Sequence, residues 1–524
     1  MKLVASKLIL LSVVFAEIIT GLVITRSVYA APDKSTSDGS ILSTGVVKAI
    51  RSYIENNPTS IVAQIDPRIA IARAKMEEGF LDPVIGAEFG TNRQTIPSSS
   101  VLGGSRYTES SRDFKLYSDK KFSTGTLVSL HYRGGRFANT SPITTLRPEY
   151  QSEFGLGIAQ PLLKGAFSGS PYWEIEWRKL QSEASYWQAV ENISQNVSGV
   201  IQTYWNLYLS EQALLVAKKN VELAKWLSSE AQERVAVGLQ SELAKLDADA
   251  ELASREQSLI LAINNREIAR RSLLELLGED TAILEDKDVK LEDTPILRRI
   301  DIKESEYLDS GKINRALLKA RRADLRAAEI QEKIADNKLL PTLDLKLDGA
   351  VRGISGEGVP GQSEIPPFIG GYEDSLSDAS SGDYYRYGIG IKMERSLSNE
   401  VARQESVIAQ LSRTKGSSYL RAAENLVAIE QRNALSSIKA ASQRVQASDK
   451  AILAAKEALR MAEKRFSLGL TTSREVLDLQ RSLISAELAS YQARTDFEIA
   501  VVDLYQGSGD VLQRYGIDVN LNMQ

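Results

Sequence analysis

Apolar and small residues recur along much of the chain at alternating steps of three and four. Leu214, Ala217, Val221, Ala224, Ser228, Ala231 and Val235 form one such seam, and this spacing lines them up on one stripe of a helix, as in a coiled coil. A second seam, Val445, Ser448, Ile452, Ala455, Leu459, Ala462 and Phe466, matches it position for position. Sliding one onto the other so that Gly469 meets Gly238 superposes Arg465-Phe-Ser-Leu-Gly-Leu470 on Arg234-Val-Ala-Val-Gly-Leu239, and Leu477-Asp478 on Leu246-Asp247, without a gap. Ala500, Leu504 and Gly509 then meet Ala269, Leu273 and Gly278. The stretches 214–278 and 445–509 therefore read as one helical hairpin present twice: a rising helix, a tight Gly-Leu turn and a descending helix. So long a period marks a duplicated unit rather than a solenoid module, and it predicts a pseudo-symmetric fold.

The rising helices are unusually long. From about 171 to 237 and from about 399 to 468 there is no internal proline and only isolated glycine. Helices of around seventy residues would be about 100 Å long at 1.5 Å per residue. A globular core cannot cover them, so they belong to an extended coiled coil or a helical cylinder. The descending helices run from about 240 to 278 and from about 472 to 507. Their Ala- and Ser-rich seams imply close helix spacing. Upstream, a short helix over 43–56 ends at Asn56-Asn57-Pro58, and a second helix ends near Phe80. This pair also recurs: Tyr53-Ile-Glu-Asn-Asn57 aligns with Tyr307-Leu-Asp-Ser-Gly311, and Phe80-Leu-Asp-Pro83 with Lys338-Leu-Leu-Pro341 once the second copy is given four extra residues. The stretch 280–302 is charged and irregular and reads as a connector between the halves.

After each of those prolines the period changes to two. Leu343, Leu345 and Leu347 alternate with Asp344, Lys346 and Asp348, and 84–90 is a weaker version of the same pattern. Long Gly-, Ser- and Pro-rich regions follow, over 91–150 and 351–383, and each leads into a return strand, 150–158 and 384–393. One apolar and one polar face suits a strand that separates lipid from an aqueous lumen, although a half-buried soluble strand reads the same way. The first region also holds an extra hairpin around Asp119-Lys120-Lys121. It is either two more staves or a decoration outside the membrane, and decoration is the expectation here.

Composition narrows the chemistry. A net charge of −4 from 64 basic and 68 acidic residues gives no reason to expect nucleic acid as a partner. The absence of cysteine and the single His131 remove the usual thiol and zinc chemistries. Lys2 and Lys7 precede an apolar run closed by Val28-Tyr29-Ala30, which predicts a signal peptide cleaved after Ala30, with an uncleaved anchor as the rival reading. Beyond residue 31 no run of about eighteen apolar residues occurs, so a membrane role would have to rest on a β-barrel.

The ordered duplicate of helix, strand, loop, strand, long helix, Gly-Leu turn and return helix resembles the TolC-like outer-membrane efflux proteins. The likeness runs from Ala49-Ile-Arg-Ser-Tyr-Ile-Glu-Asn-Asn-Pro58 through Gln160-Pro-Leu-Leu163 to both turns. It implies an α+β membrane fold: a homotrimer whose protomers each give four strands to one twelve-stranded outer-membrane β-barrel, continued by a periplasmic α-helical barrel. Closed barrels alone satisfy strand hydrogen bonds in lipid, so four strands per chain also require oligomerisation. The expected segments are a signal peptide over 1–30, an equatorial segment over 31–82, a β-hairpin with its insertion over 83–165, and a helical hairpin over 166–278. The second half follows with a connector and equatorial helices over 279–340, a β-hairpin over 341–397, a helical hairpin over 398–509 and a tail over 510–524.

By the same resemblance the function is passive export of small molecules or polypeptides in a tripartite efflux or type I secretion system. The chain would be neither an enzyme nor a cofactor binder. Its partners would be a periplasmic adaptor, an inner-membrane transporter and outer-membrane lipid. The adaptor would dock on Val237, Gly238, Leu239, Leu468, Gly469 and Leu470, although each glycine also serves as a helix C-cap. Glu475 and Asp478, three apart on one helix face, would ring the periplasmic aperture; a solvated helix face is the bland alternative. The family's locking arginine maps to Thr471 and its carboxylate partner to Ala244, while Phe466 replaces a hydrogen-bonding tyrosine; Arg474 is the candidate substitute. Trp173 and Trp177 fit either a barrel rim or helix packing, and Arg298-Arg299 and Arg321-Arg322 read as solvated faces. The competing function is a soluble periplasmic coiled-coil scaffold. A carboxylate enzyme has little support, because a long helix offers no enclosing pocket. The cargo is not legible in a passive conduit.

Overall fold

The computed structural model describes residues 42–97, 106–238, 240–279, 288–298, 300, 303–360, 368–468 and 470–517. The expected signal peptide, Leu239 and Gly469 lie outside the described residues. Two halves follow one another. The first comprises β1 (Leu42–Thr44), α1 (Val46–Asn56), α2 (Pro58–Gly79), β2 (Val84–Pro97), β3 (Arg106–Lys121), β4 (Leu127–Asn139), β5 (Leu146–Pro161), α3 (Pro171–Ala236) and α4 (Glu242–Leu276). The second comprises β6 (Val289–Leu291), α5 (Glu304–Asn314), α6 (Ala316–Asn337), β7 (Thr342–Gly358), α7 (Tyr372–Ser381), β8 (Tyr384–Glu394), α8 (Glu400–Ser467), α9 (Ser473–Ser508) and α10 (Val511–Arg514).

The heptad pattern is what folds the arms. Helices α3 and α8 are 66 and 68 residues long, and α4 and α9 return alongside them over 35 and 36 residues. Every seam position is buried or half-buried in both copies, while the lysines and glutamates between them are mostly exposed. Val221, Ala224 and Ala231 in the first copy and Val445 and Ala462 in the second are fully buried. Trp173 and Trp177 pack on Leu180, Ala327, Ile330 and Ile334 between helices.

At the waist, where arms meet strands, the duplication is visible side chain by side chain. Asn57 follows α1 and donates through Nδ2 to Leu276 O at 3.0 Å, at the carboxyl end of α4. Arg315 follows α5 and donates to Gln506 O near the end of α9. Each descending helix then closes at a left-handed glycine, Gly278 at φ +78° and Gly509 at φ +81°. A Cβ on Gly278 would lie 2.7 Å from the backbone of Asn56, and one on Gly509 2.9 Å from that of Asn314 and Arg315, so both sites require glycine twice over. Asn56 is thus the counterpart of Asn314. The alignment of Tyr53 with Tyr307 is therefore displaced by one helical turn, and no four-residue insertion is needed. The error is natural, because tyrosines four apart occupy the same helix face.

The halves differ in charge. Asn57 is neutral, whereas the buried Arg315 guanidinium lies 3.1 Å from Glu191 on α3 and 2.8 Å from Glu430 on α8. Glu191 also accepts from Leu317 N at 3.2 Å. The connector is less irregular than expected, since β6 pairs in parallel with β1, Leu42 opposite Val289. Tyr204 fastens that ladder to α3, accepting from Asp293 N at 3.1 Å and donating to Thr44 O at 3.2 Å. Burial pushes its phenol up to about 12.

The strands form one antiparallel sheet in the order β2-β3-β4-β5-β7-β8. The α+β class stands, and the sheet itself holds six strands, two more than the four expected to enter the barrel. The hairpin expected to be a decoration is β3–β4, inserted in register between β2 and β5. The sequence signal was weak because its alternation is broken on β3 by Arg112, Ser118 and Lys120 on the apolar side and Tyr117 on the polar side, and on β4 by the Gly134-Gly135 pair. Directly opposed residues share a face, which places Phe89, Phe114, Tyr132, Phe154, Val351 and Tyr385 on an apolar side. Glu88, Lys115, Glu153, Arg352 and His131 lie on the other. Helix α7 folds back on the apolar side at Gly353, where Ser375 Oγ meets Ser152 Oγ at 2.9 Å. Among the described residues, sheet edges β2 and β8 have no neighbouring strand.

The Arg315 network yields a stability prediction. Arg315→Ala leaves Glu191 buried without its cation and is expected to cost about 3–5 kcal/mol, read as a lower denaturant midpoint of the detergent-solubilised protein. Adding Glu191→Gln should restore part of the loss. A cost below about 1 kcal/mol for the single variant would contradict the network's structural role.

Candidate functional site at the hairpin tips

The far ends of the arms carry the candidate site. Helix α3 stops when Gly238 takes φ +75° and its N–H donates to Val235 O at 3.0 Å. A Cβ there would meet nothing, so conformation alone selects glycine. At the second tip Leu470 N donates to Arg465 O at 2.8 Å. Val237, Leu468 and Leu470 are 69%, 72% and 65% exposed, so both tips present aliphatic side chains to solvent.

Helix α9 begins at the second tip with Thr472 as its N-cap, whose hydroxyl accepts from Glu475 N at 3.4 Å. Glu475 therefore lies in the first turn, where the helix dipole favours a carboxylate. Its carboxylate accepts from Thr471 Oγ1 and lies 3.5 Å from Arg465. One turn on, Asp478 pairs with Arg481 at 3.2 Å. The two sequence-predicted aperture residues thus share a helix face, both largely exposed, and each has a countercharge of its own.

Arg481 also reaches the other hairpin. Its guanidinium clasps Glu251 on α4, with Nε 3.4 Å from Oε1, and Arg255 Nε holds the same oxygen at 2.7 Å. Hydrogen bonding from Arg481 holds the buried Glu251 carboxyl below its ordinary range, and raises the guanidinium of Arg481 in turn. The rising helices are tied separately, by the Arg234 guanidinium 4.7 Å above the Phe466 ring. Phe466 therefore supplies a π-face where a hydroxyl was expected. The candidate substitute Arg474 is exposed and makes no ion pair among the described residues; Arg481 makes the inter-hairpin contact instead. Sequence reasoning missed this bridge. Its signal is the duplication itself, since Arg481 stands against Ala250 and Glu251 against Ser482, a charge pair present across one seam only. The remaining marked arginines behave as solvated faces: Arg298 pairs with Glu498 at 2.7 Å and Arg321 with Asp324 at 3.1 Å, while Arg299 lies outside the described residues.

Comparison with known proteins agrees with this architecture. The family described as outer membrane efflux protein matches residues 50–279 and 308–510. TolC of Vibrio cholerae is 24% identical over 371 residues, 68% of this chain and 78% of TolC. Among solved structures, the CmeC outer membrane channel of Campylobacter jejuni superposes with a TM-score of 0.64 at 16% identity, covering 91% of this chain and 90% of CmeC. The open state of the MtrE channel of Neisseria gonorrhoeae gives 0.60 at 19%, covering 92% and 94%. Two duplicated arms on one sheet, matched across most of both halves, make this chain a member of the TolC-like outer membrane efflux protein family, located in the outer membrane.

Proposed function

We propose that the chain is the exit duct of a tripartite efflux or type I secretion system, passively carrying small molecules or polypeptides from an inner-membrane transporter, through a periplasmic adaptor, to the outside. The observation that carries this reading is the junction of arms and sheet. Helical hairpins about 100 Å long leave one end of a sheet whose two edge strands are unpaired. Backbone groups at such edges cannot be left open in hydrocarbon, so copies must join edge to edge, and a homotrimer does this with the arms gathered into a cylinder. A soluble periplasmic scaffold has no need of the apolar sheet face, and membership of an outer-membrane family sets it aside. Purified protein in planar bilayers is expected to conduct and to migrate as a trimer in detergent; absence of both would overturn the proposal.

The tips are proposed as the adaptor's docking site, through Val237, Gly238, Leu239, Leu468, Gly469 and Leu470. The exposed aliphatic side chains support this, because an isolated helical arm gains nothing from presenting them to water. Val237→Asp together with Leu468→Asp should abolish adaptor cross-linking while leaving the trimer's melting temperature unchanged. Retained cross-linking rejects the docking role.

The mouth is proposed to be ringed by Glu475 and Asp478 and held narrow by the Glu251–Arg481 bridge. Arg481→Ala is expected to raise single-channel conductance several-fold, and Glu251→Gln should act in the same direction. The pH dependence follows in sign. Glu251 is depressed in the folded state, so its contribution is fully present above the ordinary glutamate value of about 4.3 and fades as pH falls through the lowered one. The closed mouth should therefore withstand mild acid, and conductance should rise only in stronger acid. Glu475→Ala with Asp478→Ala should shift selectivity away from cations; unchanged reversal potentials would exclude a gating role.

A further inference from the structure

We propose that the β3–β4 hairpin is a pair of membrane-crossing staves, so that the duct's barrel closes with eighteen strands rather than twelve and its outer-membrane exit is correspondingly wider. The copy number rests on the trimer proposed above; the membrane crossing of the hairpin does not.

The hairpin spans the full height of the sheet. All fourteen residues of β2 pair with β3, from Val84 opposite Asp119 to Pro97 opposite Arg106. Strands β3 and β4 are 16 and 13 residues long, against the roughly 9–11 that cross a bilayer at barrel tilt. Its turn lies at the inner end, beside the start of the long arm: Tyr172 N donates to Ser123 O at 3.2 Å, and Lys120 Nζ to Leu81 O at 2.6 Å. A decoration outside the membrane would place that turn at the opposite end.

Both faces continue through it. On the apolar side a row of rings runs Phe89, Phe114, Tyr132, Phe154 across β2 to β5, with successive centroids 6.3, 5.6 and 4.6 Å apart. Leu116 and Leu130 carry the face inward, in line with Leu156 on β5. On the polar side a belt of ion pairs and hydrogen bonds passes from Glu88 to Lys115 at 3.7 Å, and from His131 to Glu153 at 3.2 Å and on to Arg352. The hairpin thus supplies two strands of an apolar outer wall and two of a charged lumen, the alternation a barrel stave requires. An even addition also preserves the closing seam, because β2 and β8 still run antiparallel when one protomer meets the next.

Strand spacing near 4.8 Å and a tilt near 40° give backbone diameters of roughly 24 Å for twelve strands and roughly 36 Å for eighteen. The exit is then not the narrow point of the duct. Any sieving falls to the tips, and the barrel admits bulkier cargo than a twelve-stranded ring.

The chain has no cysteine, so single-cysteine spin labels report the hairpin directly in reconstituted full-length protein. Labels at Val128 and Leu130, which lie inward of the patch that Tyr372 of α7 covers, should collide with oxygen, and those at Ser129, His131 and Arg133 with a water-soluble nickel complex, in phase with labels at Leu156 and Ile158 on β5. A free thiol at Thr124→Cys should be reached by a maleimide too bulky to pass the barrel lumen only after the outer membrane is breached. Loss of the two-residue alternation, or labelling of Thr124→Cys in intact cells, overturns the proposal. Native mass reads the copy number separately, so a failed trimer and a failed stave are distinguishable. Deleting residues 98–145 and joining β2 to β5 should cut the barrel cross-section about twofold, read as a smaller size limit for polyethylene glycols entering from the outside. An unchanged limit overturns the wider exit; if the variant does not assemble, the spin-label pattern decides.

Discussion

A strand edge cannot be left open in hydrocarbon, and the rest of this architecture answers to that constraint. The sheet of one protomer has edges at β2 and β8, and neither is paired with another strand among the described residues. Every unpaired N–H and C=O along them would cost several kcal/mol in lipid. Pairing with further copies is the remedy, and it fixes the position of everything attached to the sheet. The arms leave its inner end after β5 and β8, so closing the strands also gathers the helices. The barrel sets the register of the cylinder, and the small seam residues then let neighbouring helices approach.

Between sheet and arms the chain must turn sharply twice, and the waist shows how one duplicated solution diverged. Asn57 and Arg315 occupy matching positions and do the same work on the last carbonyls of a descending helix. The neutral version is self-contained. The charged one holds Glu191 in the interior with Glu430 at its edge, an arrangement that is seldom more stable than apolar packing but is costly to break by halves. In return it links α3, α5, α8 and α9 at one point. The second half of the protein is thereby anchored to the first through a side chain whose counterpart, Asn57, carries no charge.

Most of the helical framework was legible in the sequence because heptads, caps and left-handed glycines are local signals. Gly238, Gly278 and Gly509 each ended a helix where the repeat said they should. Pairing between strands is not local. The β3–β4 hairpin mixes charge and glycine into its alternation, and only its neighbours on both sides reveal which residues share a face. The parallel β1–β6 ladder joins segments too short to register as strands. The one-turn displacement of Tyr53 against Tyr307 arose because a helix face repeats every turn. At the tips, Glu475 and Asp478 were found as a pair with the correct spacing, yet the arginines that balance them come from the preceding helix and the next turn, and Glu251 comes from the other hairpin. Cross-hairpin geometry of that kind is invisible until the arms are side by side.

The Glu251–Arg481 bridge joins two helices of the same polypeptide. In a ring of identical chains it would therefore tie each protomer's own two hairpins together rather than join neighbouring protomers. Breaking one leaves the others intact, so nothing in this contact forces the mouth to open all at once. A duct latched in this way can dilate by thirds, and an adaptor that engages one protomer's tips before the next would meet a partly yielding rim. Cooperativity in opening, if the duct has any, must then be supplied by the surfaces between chains.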